Sequence, residues 1–177
     1  TGVKIGCIAR LAEQKGLSYL IEAVKILEEQ PIKLFIIGEG ELRDKLLAQT
    51  DRLGLINKIE FLGYRREVME CINSFDFCVL PSLYEGFGLV AIEAFMNGKT
   101  IVATDIPGVN EIVNDKNGIL VPVKDSERLA EAIKLLASDS SLREILANQA
   151  KKDYEERFSY PIFIDSYRKY YRNIKDT

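Results

Sequence analysis

The sequence predicts a three-layer α/β/α fold, in which a six-stranded parallel sheet is covered by helices on both faces. Short apolar runs that end at glycine or proline alternate with amphipathic stretches of helical periodicity. Strands separated by helices pair in parallel, and both faces of such a sheet are buried. The chain has 177 residues, 47% of them hydrophobic, so it can bury a full core, and we expect residues 1–177 to form one domain.

The first half of the chain predicts three strands, each followed by a helix. The strands are Val3–Ala9, Lys33–Ile37 and Lys58–Leu62. The apolar face of the first helix consists of Leu17, Leu20, Ile21, Val24 and Leu27. The second helix passes through Leu42, Leu46 and Leu53 before Gly54 ends it, and the third is a short helix with Val68, Met69 and Ile72.

The second half predicts three more strands, Phe75–Leu80, Thr100–Ala103 and Gly118–Val121. A helix over Leu89–Met96 follows the first of them and ends at Asn97-Gly98. Asp125 is positioned to cap a helix whose apolar face carries Leu129, Ile133 and Leu136. The two last helices carry Leu142, Ile145 and Leu146, and then Phe163, Tyr167 and Tyr170.

Composition narrows the classes of function. The net charge of −3, without a long cationic stripe, argues against nucleic acid as the main ligand. Cys7, Cys71 and Cys78 are odd in number and lie in apolar or amphipathic stretches, which indicates buried free thiols in a reducing cytoplasm rather than disulfides or a metal site. Histidine is absent, so the usual general base at neutral pH is absent too, and no apolar stretch is long enough to span a membrane.

Two carboxylates flank a glycine-rich turn at the end of the fourth predicted strand. Glu85 precedes the turn, and Glu93 lies eight positions later in the helix that follows. The start of a helix offers unpaired N–H groups and a positive dipole end to phosphate. Carboxylates repel phosphate but accept hydrogen bonds from hydroxyls, so the bound group should carry both phosphate and sugar. The alternative for such a Glu pair is a loop cap and a solvated helix residue.

Two cations follow the first predicted strand in an otherwise acidic chain. Arg10 offers a planar fork and Lys15 a compact point charge, and together they can meet the charge of a diphosphate. Taken alone, such residues are more often solvated surface cations.

The segment Pro81–Leu89 resembles the donor-binding signature of retaining glycosyltransferases of the GT-B architecture (family four). That signature is Pro-Ser-x-x-Glu-Gly-Phe-Gly-Leu with a second Glu eight positions after the first, and the sequence matches it without a departure. Arg10 and the pair Lys15-Gly16 match a second family motif, and the resemblance extends from Gly2 to about Tyr171. It implies a Rossmann-like domain that forms one half of a GT-B fold.

The resemblance also implies roles for individual residues. Arg10, Lys15 and Glu85 would be the catalytic set: the two cations bind the donor diphosphate, and Glu85 holds the sugar hydroxyls. Glu93 would accept hydrogen bonds from the ribose. The donor, a UDP- or GDP-sugar, would be bound by Gly38, Gly63, Tyr64, Arg65, Gly86, Phe87, Gly88, Leu89, Val90 and Glu93. No metal or other cofactor would be required, and the sequence has no Asp-x-Asp pair.

Members of the family carry two such domains, and the N-terminal one holds the acceptor. We therefore expect this chain to be the C-terminal donor-binding half of an enzyme that transfers a hexosyl-type sugar with retention to a glycan, lipid or small-molecule acceptor. We expect the chain alone to be inactive, and the full-length enzyme to be cytoplasmic, with peripheral association with the inner membrane face as one possibility. Part of Ile162–Tyr171, which crosses back to the N-terminal domain in the family, should expose apolar surface. The alternatives are a nucleotide-sugar epimerase of the same architecture and a non-catalytic nucleotide-binding α/β module, flavodoxin-like in outline.

Overall fold

The computed structural model describes the backbone of residues 2–175 and the side chains of residues 2–168. Six strands form one sheet in the order β3-β2-β1-β4-β5-β6, and all five strand pairs are parallel. The strands are β1 (Val3–Ile8), β2 (Ile32–Ile37), β3 (Ile59–Gly63), β4 (Phe77–Leu80), β5 (Ile101–Thr104) and β6 (Gly118–Val121). The predicted six-stranded parallel sheet is confirmed, and its strand order is the Rossmann order, not the flavodoxin-like one.

Seven α-helices connect or follow these strands within the described residues. They are α1 (Leu17–Ile26), α2 (Arg43–Arg52), α3 (Val68–Asn73), α4 (Leu89–Met96), α5 (Ser126–Ser138), α6 (Ser140–Asp153) and α7 (Tyr160–Lys175). A 3₁₀ turn at Glu13–Lys15 and a π-helical turn at Tyr154–Phe158 were not predicted. The predicted cap is confirmed, because the Asp125 side chain accepts a hydrogen bond of 2.9 Å from the backbone N–H of Arg128.

Two apolar clusters cover the two faces of the sheet. Successive residues of a strand point to opposite faces, so Phe77 and Val79 of β4 join one cluster, while Cys78 and Leu80 join the other. The first cluster includes the inner faces of α1 and α5, and the second those of α3 and α4. Cys7 and Cys78 are buried free thiols, as predicted, and Cys71 is a half-buried free thiol.

The ends of β1, β2, β3 and β5 differ by one residue from the predicted strands, and the structure corrects two larger details. The fourth strand begins at Phe77 rather than Phe75, because Asp76 binds the backbone of Lys4 through its own N–H and through its carboxylate. No helix separates β5 from β6. That connection is a series of turns, in which the buried Asn117 side chain donates to the carbonyl of Ile112.

The sheet places a crevice at the carboxyl ends of its central strands. β1 pairs with β2 on one side and β4 on the other, so the connections that leave β1 and β4 diverge to opposite sides. Ligands of open α/β sheets bind at this switch point of strand order. Every glycine-rich segment that the sequence singled out follows one of these strands.

The end of the chain leaves the sheet along α7. Ile162, Phe163 and Tyr167 have exposed side chains there, which fits the expectation for Ile162–Tyr171 as far as the described side chains extend. Tyr170, predicted on the same face, lies outside the described side chains. Among the described helices, none combines the length and the apolar character needed to cross a bilayer.

Candidate functional site

A cleft of about 510 Å³ opens at the carboxyl ends of β1, β2 and β3, next to α4. It brings together seven of the predicted site residues, namely Arg10, Lys15, Gly38, Tyr64, Arg65, Val90 and Glu93. Gly63 lies directly beneath this lining, where its carbonyl accepts a hydrogen bond of 2.9 Å from the Gly38 N–H. The loops after β2 and β3 therefore form one wall of the cleft, and Tyr64 stands exposed at its rim.

Arg10 lines the cleft and extends into solvent. Its guanidinium lies 3.1 Å from Oε2 of Glu41, and both side chains are more than half exposed. A hydrogen bond from its own backbone N–H lowers the pKa of Glu41, and the Arg10 charge acts in the same direction. Exposed ion pairs contribute little free energy. Arg10 can therefore leave Glu41 and bind an anion of higher charge.

Lys15 and Glu85, both predicted as catalytic, are bound to each other. The Lys15 ammonium lies 2.6 Å from Oε1 of Glu85, and the Ser82 hydroxyl donates a hydrogen bond of 2.7 Å to the same oxygen. Glu85 lies beside the cleft rather than in its lining, with 11% of its side chain exposed. The arrangement leaves Oε2 of Glu85 without a hydrogen bond from the described side chains.

The two predicted motifs dock through their backbones as well. The Leu83 N–H donates to the carbonyl of Gln14 at 2.7 Å, and the Gln14 side chain donates to the carbonyl of Tyr84 at 3.0 Å. Gly16 has a positive φ of 60°, and a Cβ there would lie 2.1 Å from the Pro81 oxygen. Only glycine fits so close to that carbonyl, so the Lys15-Gly16 pair has a structural reason beyond its charge.

The first turn of α4 points into the cleft at Val90. Gly88 precedes the helix with a φ of 74°, and a Cβ there would lie 3.1 Å from Val109 in the connection between β5 and β6. Phe87 and Leu89 on either side of it are exposed, and Gly86 is exposed in the same turn. None of these three lines the cleft itself, but their backbone leads into the first turn of α4, where the first N–H groups of a helix have no acceptor within the helix.

Glu93 contributes an unpaired carboxylate to the cleft. It is half-buried in the second turn of α4, and burial raises the pKa of its carboxyl above the ordinary value. No described side chain donates a hydrogen bond to it. An acceptor held in this way is suited to a ligand that brings its own hydroxyl donors.

Sequence reasoning gave no role to several residues that shape the site. Ser82 and Glu41 bind the predicted residues Glu85 and Arg10, and Gln14 binds the backbone of Tyr84 inside the motif. Ser82 stands inside the recognised motif, which is a signal for it, whereas Glu41 and Gln14 have no comparable pattern. Within the described part of the chain, no group of three or more His, Cys, Asp or Glu side chains could hold a metal ion.

The family model described as "Glycosyl transferases group 1" matches residues 1–153 of the chain. An uncharacterized glycosyltransferase of Methanocaldococcus jannaschii is 40% identical over 157 residues, which are 86% of this chain and 40% of that protein. The chain thus spans less than half the length of this relative.

Two solved structures are similar to most of this chain. A crystal structure of Anabaena HepE in complex with UDP matches with a TM-score of 0.89 and 26% identity, over 99% of this chain and 49% of that one. The C-terminal domain of a glycosyl transferase group 1 family protein from Francisella tularensis matches with a TM-score of 0.82 and 30% identity, over 89% of this chain and 87% of that domain.

Proposed function

Because the chain belongs to the glycosyl transferases of group 1, we propose that it is the donor-binding domain of a retaining enzyme that takes its sugar from a nucleoside diphosphate sugar. The observation that carries this proposal is the composition of the cleft. Arg10, Lys15 and the start of α4 supply positive charge at one place, and Glu93 supplies an unpaired acceptor beside them. A ligand that is anionic at one part and rich in hydroxyls at another satisfies both.

The nucleoside occupies the wall formed by the loops after β2 and β3. Glu93 accepts from the ribose hydroxyls, and the backbone around Gly38 and Gly63 faces the base and ribose, with Tyr64 and Arg65 at the rim. UDP is the first candidate, because the similar Anabaena protein was crystallised with UDP. GDP is the second.

Catalysis in this proposal is electrostatic. As the bond to the sugar breaks, negative charge builds on the departing diphosphate, and Arg10, Lys15 and the N–H groups at the start of α4 stabilise it. Glu85 orients the hexosyl group through its hydroxyls. Arg10, Lys15 and the positive end of α4 stabilise the diphosphate charge that a divalent metal stabilises in other enzymes. We therefore expect EDTA to leave donor binding unchanged.

The acceptor is bound by a second domain in this account. The chain corresponds in length to the solved C-terminal domain from Francisella tularensis and to about half of the Anabaena chain. The isolated chain therefore binds donor but transfers no sugar.

Calorimetry with UDP, GDP and ADP tests the proposal. We expect saturable binding of at least one, and Glu93→Gln should weaken the free diphosphate and its sugar nucleotide by similar factors. Glu131→Gln, an exposed ion-paired carboxylate on α5, is the matched control. The absence of binding by all three nucleotides would contradict the donor site, and sugar transfer by the isolated chain would contradict the division into two halves.

A further inference from the structure

The Glu85 carboxylate is held by one oxygen only. Lys15 and Ser82 both donate to Oε1, at 2.6 and 2.7 Å. A carboxylate oxygen has two lone pairs in its plane, so two donors fill Oε1 and fix the rotation of the whole group. The position of Oε2 is fixed by the same rotation, and Oε2 can still accept a hydrogen bond from a ligand.

Ser82 is the rigid member of this pair of donors. Its side chain is fully buried, and its backbone carbonyl accepts a hydrogen bond from the buried Thr104 hydroxyl at the end of β5. Ser82 is therefore tied to the sheet, whereas Glu85 stands on the loop that leaves it. A serine side chain has few rotamers, and in this structure the Ser82 hydroxyl is directed at Oε1 of Glu85.

Lys15 is the mobile member. Its ammonium ends a flexible stem of four carbons and carries three donors. When an anionic diphosphate enters the cleft, Lys15 divides its donors between phosphate and Glu85. Ser82 is neutral and buried and does not line the cleft, so its bond to Glu85 is independent of the phosphate.

We infer that Ser82 is a positioning residue: it holds the Glu85 carboxylate in the orientation that accepts from the donor sugar, while Lys15 turns to the diphosphate. The inference rests on the proposed function. Ser82 then affects the binding of the sugar only through Glu85. A residue that merely stabilises the loop would not depend on Glu85 in this way.

Titration calorimetry with UDP and UDP-glucose, or with GDP and GDP-mannose if the chain prefers guanine, tests this role. We expect Ser82→Ala to change the UDP dissociation constant by less than about twofold and to weaken UDP-glucose by about fivefold, the size of one typical net hydrogen bond. Ser82→Thr, which keeps the hydroxyl, should restore most of the loss. Ser126→Ala is the matched control, because Ser126 also donates to a carboxylate, that of Glu22, away from the cleft.

A double-mutant cycle provides the second readout. In a Glu85→Gln background, Ser82→Ala should add less than about 1.5-fold to the loss of UDP-glucose affinity, since residues that act as a unit are not additive. Equal weakening of UDP and UDP-glucose, or a fully additive loss in the Glu85→Gln background, would overturn the inference.

The outcomes also separate this inference from the function on which it rests. A wild-type chain that binds neither nucleotide pair overturns both. A wild-type chain that binds, together with a Ser82→Ala variant of unchanged affinities, overturns the role of Ser82 alone. If Ser82→Ala does not fold, Ser82→Cys keeps a weaker donor at the same place and should give an intermediate loss of UDP-glucose affinity; unchanged affinity in that variant would count against the role.

Discussion

The Lys15 ammonium lies 2.6 Å from Oε1 of Glu85, and only 19% and 11% of the two side chains are exposed. The ion pair joins the segment after β1 to the segment after β4 across the switch point of the sheet. One consequence is that Lys15 is partly neutralised before any ligand arrives. In the proposed site, a bound diphosphate would therefore share Lys15 with Glu85.

Glu85→Gln should separate phosphate binding from sugar binding. Removing the carboxylate leaves the Lys15 charge to the ligand, so plain UDP or GDP should bind as tightly as in wild type, or up to about fivefold tighter. The sugar-bearing nucleotide should lose about tenfold relative to its parent diphosphate, because the charged acceptor for the sugar is gone. Calorimetry with both ligands measures the two effects. A variant that loses as much affinity for plain UDP as for the sugar nucleotide would contradict this division of roles.

Arg10→Ala and Lys15→Ala should each weaken a nucleoside diphosphate by about tenfold or more, with little effect on the nucleoside. Lys15→Ala should also be less stable to unfolding than Arg10→Ala. Arg10 is exposed and its loss leaves only the exposed Glu41, whereas the loss of Lys15 leaves the largely buried Glu85 carboxylate without its counterion. Thermal unfolding alongside calorimetry distinguishes them. Arg128→Ala, which removes another exposed arginine paired with a glutamate, should change neither the affinity nor the stability. Equal, small losses for diphosphate and nucleoside would contradict a role of Arg10 and Lys15 in binding the diphosphate.

Glu93→Gln should stabilise the ligand-free chain at neutral pH. Burial raises the pKa of Glu93 in the folded chain above that in the unfolded chain. Folding then favours the protonated carboxyl, so the charged form costs stability at pH values above the raised pKa, and the cost disappears as pH falls below the unfolded value. The unfolding midpoint of Glu93→Gln should exceed that of wild type at pH 7, and the difference should shrink toward about pH 4. A variant less stable than wild type at pH 7 would show that an unrecognised partner satisfies the carboxylate.

Only one of the three thiols should react in the native chain. Burial raises the pKa of both Cys7 and Cys78 to about 12, so neither forms the nucleophilic thiolate at pH 8, whereas Cys71 is half-buried. A thiol reagent such as DTNB should modify one cysteine quickly and the other two only after denaturant is added. Cys71→Ser should abolish the rapid reaction, and persistence of that reaction in the variant would contradict the assigned burial.

Strands and helices could be predicted from the sequence because the apolar patterns that define them are local. Leu89–Met96 and Gly118–Val121 were predicted with the bounds that the structure has. Phe75 was placed in β4 because it is apolar, but the neighbouring Asp76 binds the Lys4 backbone before the strand begins. That contact joins residues far apart in the chain, and no local pattern contains it.

For the site, too, local patterns could be predicted and contacts between particular side chains could not. Arg10 and Lys15 could be placed at the cleft because they lie in the segment that directly follows a predicted strand, and Glu93 because it lies in the helix that begins after the next central strand; strand ends of a parallel sheet meet at one edge. The pairings of Glu85 with Lys15 and with Ser82 join side chains 70 and three residues apart, and the pairing of Arg10 with Glu41 spans 31 residues. Which of several nearby donors an acid binds depends on rotamers and on distances of a few tenths of an ångström, which a sequence pattern does not encode.

The central claim is that a nucleoside diphosphate binds at the carboxyl ends of β1, β2 and β3, beside α4. Amide chemical-shift mapping by two-dimensional NMR, with UDP or GDP added to the isotopically labelled chain, tests it most directly. We predict saturable shifts concentrated at the cleft, including Arg10, Gly38, Tyr64 and Val90, with the groove beside Leu142 and Lys152 of α6 unaffected. Saturable shifts at that α6 groove with none at the cleft, or no shifts with either nucleotide, would contradict it.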